Sequence, residues 1–445
     1  MNERASSAQG NISGQFNSRH SILLFRVVGT AYLMSIFFSQ WYYAGITEGT
    51  LKSVIPKNMT SILVISLGFI ILTITYRISH SRESSKSLNR ELLVLASLSF
   101  AITTCSSIML GAWISGVNSE TVEGLKSLAA TLMGLLLIKH FVVDMSFFLR
   151  IYAIIFGLVV IYSFVQTGQG INWQTSNSFF TIGASERWWD LNSTWGPFAL
   201  SGKNVYGMAL VLSFSLLSPH LFLSNVFGRI EKAILATALL ASGYLIFVSR
   251  SRTSILLLAT NVLILFLFFS WMRRNFLPFF IMLILLPSFG FILVAGNFDW
   301  LFSSRSAAAR GLSFNAAVLS PQSNYLFGSG YDSIFRLTAS TFGNSLSQAG
   351  KKGVNVDNYY LRRFLEGGLL GLFSFLSVLL ALFKSYLDTK ILSGQQRVWG
   401  CCALLIFIDI GFASTSGDFL SFQIVNCIFF LCIAFIAAGL RLSDS

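Results

Sequence analysis

The chain has 445 residues, of which 54% are hydrophobic and 11% charged, with a formal net charge of +13 and a mean hydropathy of +0.69. Soluble multidomain proteins of this length do not carry that composition, so the chain is a polytopic membrane protein. The basic excess does not indicate nucleic acid, because no soluble basic domain, basic helix or arginine–aromatic module is present to receive it.

Residues 1–20 are polar and read as a cytoplasmic tail without a cleavable leader, and the first apolar run is long enough to remain as a signal anchor. Apolar runs of roughly 17 to 25 residues, enough to cross about 30 Å of hydrocarbon as helix, recur about twelve times. They fall near 22–40, 60–76, 92–115, 127–143, 150–166, 204–222, 233–249, 254–272, 276–296, 368–384, 398–415 and 419–440. The expected fold is therefore all-α: one membrane domain over 21–440 with about twelve transmembrane helices, and residues 441–445 as a short tail. Connections bearing Arg77, Arg82, Lys86 and Arg90, then Lys139 and Arg150, Arg229 and Lys232, Arg273 and Arg274, and Lys384, Lys390 and Arg397 alternate with poorer ones. The positive-inside rule puts these loops and both termini in the cytoplasm, and a bacterial inner membrane fits best.

Two outer segments, 167–203 and 297–366, are long enough to fold over the membrane, and function is expected to concentrate there. The first carries Glu186-Arg187-Trp188-Trp189-Asp190, then Trp195, and ends on Ser201-Gly202-Lys203-Asn204 at the start of the sixth run. Its tryptophans suit either an interfacial aromatic belt or stacking on sugar rings. The second carries Arg305 and Arg310, whose five-residue spacing turns them about 140° apart on a straight helix. It continues to Leu326-Phe327-Gly328-Ser329-Gly330, which reads as a plain turn rather than a nucleotide loop because no phosphate-loop lysine follows. Residues 338–352, rich in Ser, Gly and Asn, are expected to be mobile.

Arg187, Arg250, Arg252, Arg305, Arg310, Arg336, Arg362 and Arg363, with Lys203, all fall on the outer side. A planar guanidinium suits phosphate and carboxylate, which points to an anionic ligand there. The five cysteines lie within apolar runs as small packing residues, no Cys/His metal spacing is present, and His20, His80, His140 and His220 all map to the cytoplasmic side.

Three places concentrate polar chemistry. The turn Val248-Ser249-Arg250-Ser251-Arg252-Thr253-Ser254 joins two apolar runs near the lipid phosphate plane. Its arginines either snorkel to phospholipid or, Arg252 above all, hold the pyrophosphate of a lipid-linked substrate and stabilise it as a leaving group without a metal. From Asp357 to Leu372 the chain re-enters the membrane, and a helix starting near Asp357 aligns Asn358, Arg362 and Glu366 at four-residue steps. The alternative there is that Asp357 is only a helix cap and Arg362–Glu366 an ordinary pair. Asp409, in the middle of the eleventh run, is either functional or a buried hydrogen-bond partner.

At this point the chain resembles the Wzy/O-antigen-ligase superfamily of bacterial surface-glycan enzymes. The resemblance rests on Gly196-Pro197-Phe198 with Lys203-Asn204, the Ser251-Arg252-Thr253 turn, and Asp357-Asn358-x-Tyr360-Leu361 followed by Leu365-Glu366-x-Gly368-Leu369-x-Gly371-Leu372. It implies a GT-C-like membrane glycosyltransferase, free of metal and cofactor, that moves a glycan from an undecaprenyl pyrophosphate carrier to an acceptor at the periplasmic face. It also implies membrane lipids, a flippase and a chain-length regulator as partners. Ligases of this superfamily show His-Asn where this chain has Asp357-Asn358, so the resemblance implies a repeat-unit polymerase. A ligase acting on lipid A-core, or a flippase or transporter, is the alternative. The catalytic candidates are Arg252, Asp357, Glu366 and Arg187. Substrate-binding candidates are Arg250, Arg305, Arg310, Lys203, Asn204, Asn358, Tyr360 and Arg362.

Overall fold

The computed structural model describes residues 88–116, 119–176, 202–224, 226–249, 251–273, 325–331, 358–389, 395–417, 419–421 and 423–442, with nine helical residues between 23 and 36. In chain order the helices are α1 (Leu88–Ser115), α2 (Ser119–Val143), α3 (Met145–Ser176), α4 (Gly202–Leu223), α5 (Arg229–Val248), α6 (Arg252–Arg273), α7 (Tyr359–Thr389), α8 (Gln395–Ser416) and α9 (Gln423–Leu442). A 3₁₀ turn, Phe419–Ser421, precedes α9. No strand occurs among the described residues.

Among the described residues, six helical stretches are long and apolar enough to cross a membrane: Arg90–Ile114, Met145–Phe164, Asn204–Leu223, Arg229–Phe247, Tyr359–Thr389 and Gln396–Thr415. Three shorter apolar stretches, Gly124–Ile138, Arg252–Phe268 and Ile424–Leu440, coincide with further expected spans. The run at 22–40 is helical wherever it is described, and those at 60–76 and 276–296 lie outside the described residues. Three boundaries move by eight residues or more: α2 begins at Ser119 and α7 at Tyr359, ahead of the expected 127 and 368, and α3 runs on to Ser176, ten residues past the expected end of its span, so the first outer segment begins as helix rather than loop.

Packing follows from which helices are apolar all round. α9 is buried on every side from Ile428 to Ala438, and a helix without a polar face belongs at the centre of a bundle. Phe435 stacks on Phe141 of α2 with ring centroids 4.1 Å apart. Asn426 fixes the register of the same pair, its Nδ2 donating to the Ser127 Oγ at 2.6 Å and to the Ser127 carbonyl at 3.2 Å. α5 is peripheral: Ile230, Ile234 and Leu240 are exposed on it, as expected of a face turned to lipid.

Ion pairs gather at the helix ends that the positive-inside reading assigns to the cytoplasm. Arg26 donates through Nε to Asp144 at 2.8 Å, Arg150 lies 3.5 Å from Glu231, and Lys384 lies 3.3 Å from Asp388. At that end His220 closes α4 edge-on against Trp399 of α8, with centroids 4.5 Å apart. α4 and α8 therefore run antiparallel, and the start of α4 lies at the same end of the bundle as the finish of α8. That end carries the candidate site.

Candidate functional site

α7 is not one helix. At Gly368 the backbone turns to φ 62, ψ −158, splitting it into a short helix over 359–367, α7a, and a long one over 369–389, α7b. A break at this depth leaves carbonyls orphaned at the end of α7a and N–H groups orphaned at the start of α7b, which an apolar bundle cannot leave unmet. Residues 325–331 meet both sets. The Ser329 and Gly330 amides donate to the Leu365 and Glu366 carbonyls at 2.9 and 3.0 Å, and the Leu369 and Leu370 amides donate to the Tyr325 and Leu326 carbonyls at 2.9 and 3.3 Å. Tyr331 extends the strap to α1, its amide donating to the Ser107 carbonyl at 2.7 Å.

The Gly-Ser-Gly sequence, expected to be a plain turn, is thus a turn with a docking role. Gly328 and Gly330 adopt φ 76 and 88. A Cβ on Gly328 would lie 2.5 Å from the Gly368 amide nitrogen, and one on Gly330 would lie 2.5 Å from that of Gly111. Only residues without a Cβ allow the strap this close to both helices.

α7a folds back over α7b, so that a Cβ on Gly371 would lie 2.8 Å from the Arg363 carbonyl, and the Tyr359 and Tyr360 rings reach Phe375 at 5.0 and 5.3 Å. Its cap is Asn358, whose Oδ1 accepts the Leu361 amide at 3.0 Å; the carbonyl of Asn358 takes the first helical bond, from Arg362. The cap therefore sits one residue later than the sequence suggests, because the Asn358 side chain also ties α7a to α8 through the Thr415 carbonyl at 3.4 Å. Tyr360 adds a second tie, donating to the Gly411 carbonyl at 2.9 Å.

The expected stripe of Asn358, Arg362 and Glu366 is present. Arg362 Nε donates to Glu366 Oε1 at 3.0 Å, and the Arg362 guanidinium lies 5.4 Å from the Tyr331 ring centroid. This is not an ordinary surface pair: the side chains are 10% and 1% exposed. At such burial a carboxylate fixes the direction of the guanidinium fork rather than adding a screened surface contact. Arg363 faces the other way and is buried to 2%, a position that its sequence neighbour's pairing does not disclose.

The second station is the turn between α5 and α6. Ser249, Ser251 and Ser254 are fully buried; Ser249 Oγ donates to the Ile246 carbonyl at 2.7 Å, and the Ser251 and Ser254 hydroxyls share a 2.8 Å bond. The turn sits on α4, where a Cβ on Gly207 would lie 2.6 Å from Ser254 Oγ. Arg252 opens α6 half-buried, and Asn204 lies exposed in the first turn of α4.

A buried polar knot places both stations at one end. Ser215 of α4 donates to Asp409 Oδ2 of α8, and Asn261 of α6 donates from Nδ2 to Asp409 Oδ1 and to Ser215 Oγ, both at 2.8 Å. From that layer, Thr415, Asn204 and Arg252 all lie toward the same end, roughly 9 to 16 Å away along their helices. Of the two readings of Asp409, the contacts are those of a hydrogen-bonded structural centre joining three helices.

Lys203 lies in the first turn of α4. Arg187, Arg250, Arg305, Arg310 and Asp357 lie outside the described residues, as do Trp188, Trp189, Trp195 and residues 338–352. Cys401, Cys402 and Cys432 are buried free thiols, and Cys105 and Cys427 are half-buried. No group of three potential metal ligands occurs among the described residues.

No curated protein matches the chain. Residues 236–376, from α5 through the strap and the helix break into α7b, match the O-antigen ligase family model. That match supports the Wzy/O-antigen-ligase superfamily for this stretch, and with it a polysaccharide-related membrane enzyme.

Proposed function

We propose that the chain polymerises undecaprenyl-pyrophosphate-linked oligosaccharide repeat units into O-antigen or a related surface polysaccharide, at the periplasmic face of a bacterial inner membrane. The observation that carries polymerase over ligase is the sequence Asp357-Asn358 immediately preceding α7a, where ligases of the resembling superfamily carry His-Asn. Both termini are cytoplasmic in this proposal, and a flippase and a chain-length regulator act with the enzyme.

In the proposed reaction an acceptor hydroxyl oxygen attacks the anomeric carbon of the donor. The bond from that carbon to the pyrophosphate oxygen breaks, and undecaprenyl pyrophosphate leaves with the electron pair. Arg252, assisted by Arg187, Arg250, Arg305 or Arg310, stabilises the charge that develops on it. The hydroxyl proton passes to a carboxylate acting as general base. Glu366 is buried to 1% and bonded to Arg362, which suits it to aiming that guanidinium. Asp357, just before the cap, is the carboxylate assigned to the proton. Lys203, Asn204 and Tyr360 are assigned to substrate binding, while the Asn358 amide holds α7a in place.

The test is genetic. Deletion should leave single repeat units on the acceptor, whereas accumulation of lipid-linked polymer would assign ligation instead. In the deletion strain, Arg252→Ala should insert normally and lower polymer formation by about 10²–10³, the usual loss when one charge-stabilising donor is removed. Polymer of normal length from that variant would remove Arg252 from the mechanism.

A further inference from the structure

Arg362 and Arg363 are adjacent, and a helix turns their side chains about 100° apart. Arg362 finds Glu366. Arg363 instead points between α7 and α1, where its Nη2 donates to the Thr103 hydroxyl at 3.2 Å and its guanidinium lies 4.6 Å from the Phe100 ring centroid. It is 2% exposed, and its Nε has no acceptor.

No carboxylate among the described residues pairs with it, although Arg26, Arg150, Arg362 and Lys384 each have one. The most deeply buried of these cations is thus the one without a counterion. Thr103 lies about 16 Å along α1 from Ile114, the end of that candidate span, so the charge sits well inside the bundle. The Phe100 ring offsets part of the cost of placing it there, but a desolvated guanidinium with an idle donor is a strong partner for an oxyanion. A second hydroxyl stands beside it, since Ser374 Oγ of α7b shares a 2.7 Å bond with Thr103 Oγ1.

We propose that Arg363 is an oxyanion-binding residue which, with the Thr103 and Ser374 hydroxyls, takes up a phosphate or carboxylate group of an anionic ligand entering between α1 and α7. The inference rests on the polymerase reading for the ligand's identity: the oxyanion belongs either to the pyrophosphate of the lipid carrier or to an acidic sugar of the repeat unit. Removing the charge while keeping its bulk should remove binding without loosening the fold. A structural arginine behaves in the opposite way.

The experiment uses the full chain in lipid nanodiscs, as wild type, Arg363→Met and Arg363→Lys, with thermal unfolding followed during titration by undecaprenyl pyrophosphate or by glucuronate. Wild type should be stabilised by one probe, which names the source of the oxyanion. Arg363→Met should unfold without ligand at or above the wild-type temperature and bind that probe at least tenfold more weakly. Arg363→Lys, which keeps the charge but loses the planar fork, should fall between. Affinity decides the outcome: Arg363→Met within twofold of wild type, or a wild type that answers neither probe, overturns the proposal. If Arg363→Met does not fold, Arg363→Lys decides by the same criterion, a twofold match overturning it and a clear weakening sustaining it. Failure of the polymerase reading would show separately, in the glycan pattern of the deletion strain, and would leave this binding result standing.

Discussion

One substitution, glycine to alanine, made at three places separates what the helix break costs from what its strap supplies. At Gly157, inside α3, an added Cβ meets nothing within 4 Å, and alanine should stabilise by about 0.5–1 kcal/mol through helix propensity. At Gly116, φ is +75 and the space is again open, so alanine there registers backbone strain alone, about 1–2 kcal/mol. Gly368 combines strain with collision. Its φ 62, ψ −158 conformation is accessible essentially to glycine, at a cost of about 1–3 kcal/mol for another residue, and the new methyl would overlap the Leu326 carbonyl oxygen and lie 2.5 Å from the Gly328 amide nitrogen. Both are backbone atoms and cannot swing aside, so the strap must shift. The 3.3 Å bond from Leu370 to Leu326 is the longest of its four to α7, and stripping one buried pair adds about 1–3 kcal/mol. Gly368→Ala should therefore lose roughly 2–6 kcal/mol. Thermal unfolding of the three variants in one detergent, read as loss of the monodisperse species, should rank them Gly157→Ala above Gly116→Ala above Gly368→Ala. A Gly368→Ala protein as stable as Gly116→Ala would refute the claim that the strap is held against the break.

Two further substitutions test the buried polar groups. Arg362→Met takes the guanidinium from a carboxylate that is 1% exposed and should cost about 3–5 kcal/mol, while the double change Arg362→Met/Glu366→Met should recover most of that; a double variant as unstable as the single one would show that the pair is not the cause. Asp409→Leu leaves the Ser215 and Asn261 donors without their carboxylate and should cost about 2–4 kcal/mol. Asp409→Asn should keep both the fold and glycan synthesis, and loss of synthesis in a fully stable Asp409→Asn protein would return that residue to the chemistry.

The helices were legible because lipid imposes length and apolarity on each span, so 92–115, 204–222, 254–272 and 398–415 each meet an observed helix within a few residues. The break was not legible. Gly367-Gly368 sits at the start of the expected run at 368–384, and many such glycines remain helical; what singles this pair out is a segment some forty residues earlier supplying hydrogen bonds to both of its ends. The stripe of Asn358, Arg362 and Glu366 could be read from spacing, but its burial could not, because hydropathy places charged residues in water by default. Arg363 shows the limit most clearly. Nothing in an Arg-Arg doublet says that one member pairs with the next turn of its own helix while the other crosses to α1, since that is decided by the angle at which α7a folds back.

Why the entry helix breaks follows from what a straight one would do. Unbroken, α7 would extend about 46 Å, and α7a would stand roughly 14 Å clear of α7b, with Arg362 and Arg363 in water as mobile, fully hydrated cations. Folding α7a back presses both guanidinia against protein, where Glu366, Tyr331, Thr103 and Phe100 fix their directions and the reduced dielectric strengthens whatever charge they meet. The break creates orphan backbone groups, and 325–331 satisfies them while also gripping α1. The strap, the break and the buried arginines are therefore one device. Damage to Gly328 or Gly330 should disorient Arg362 as surely as removing Glu366, although neither glycine carries a charge or any functional side chain.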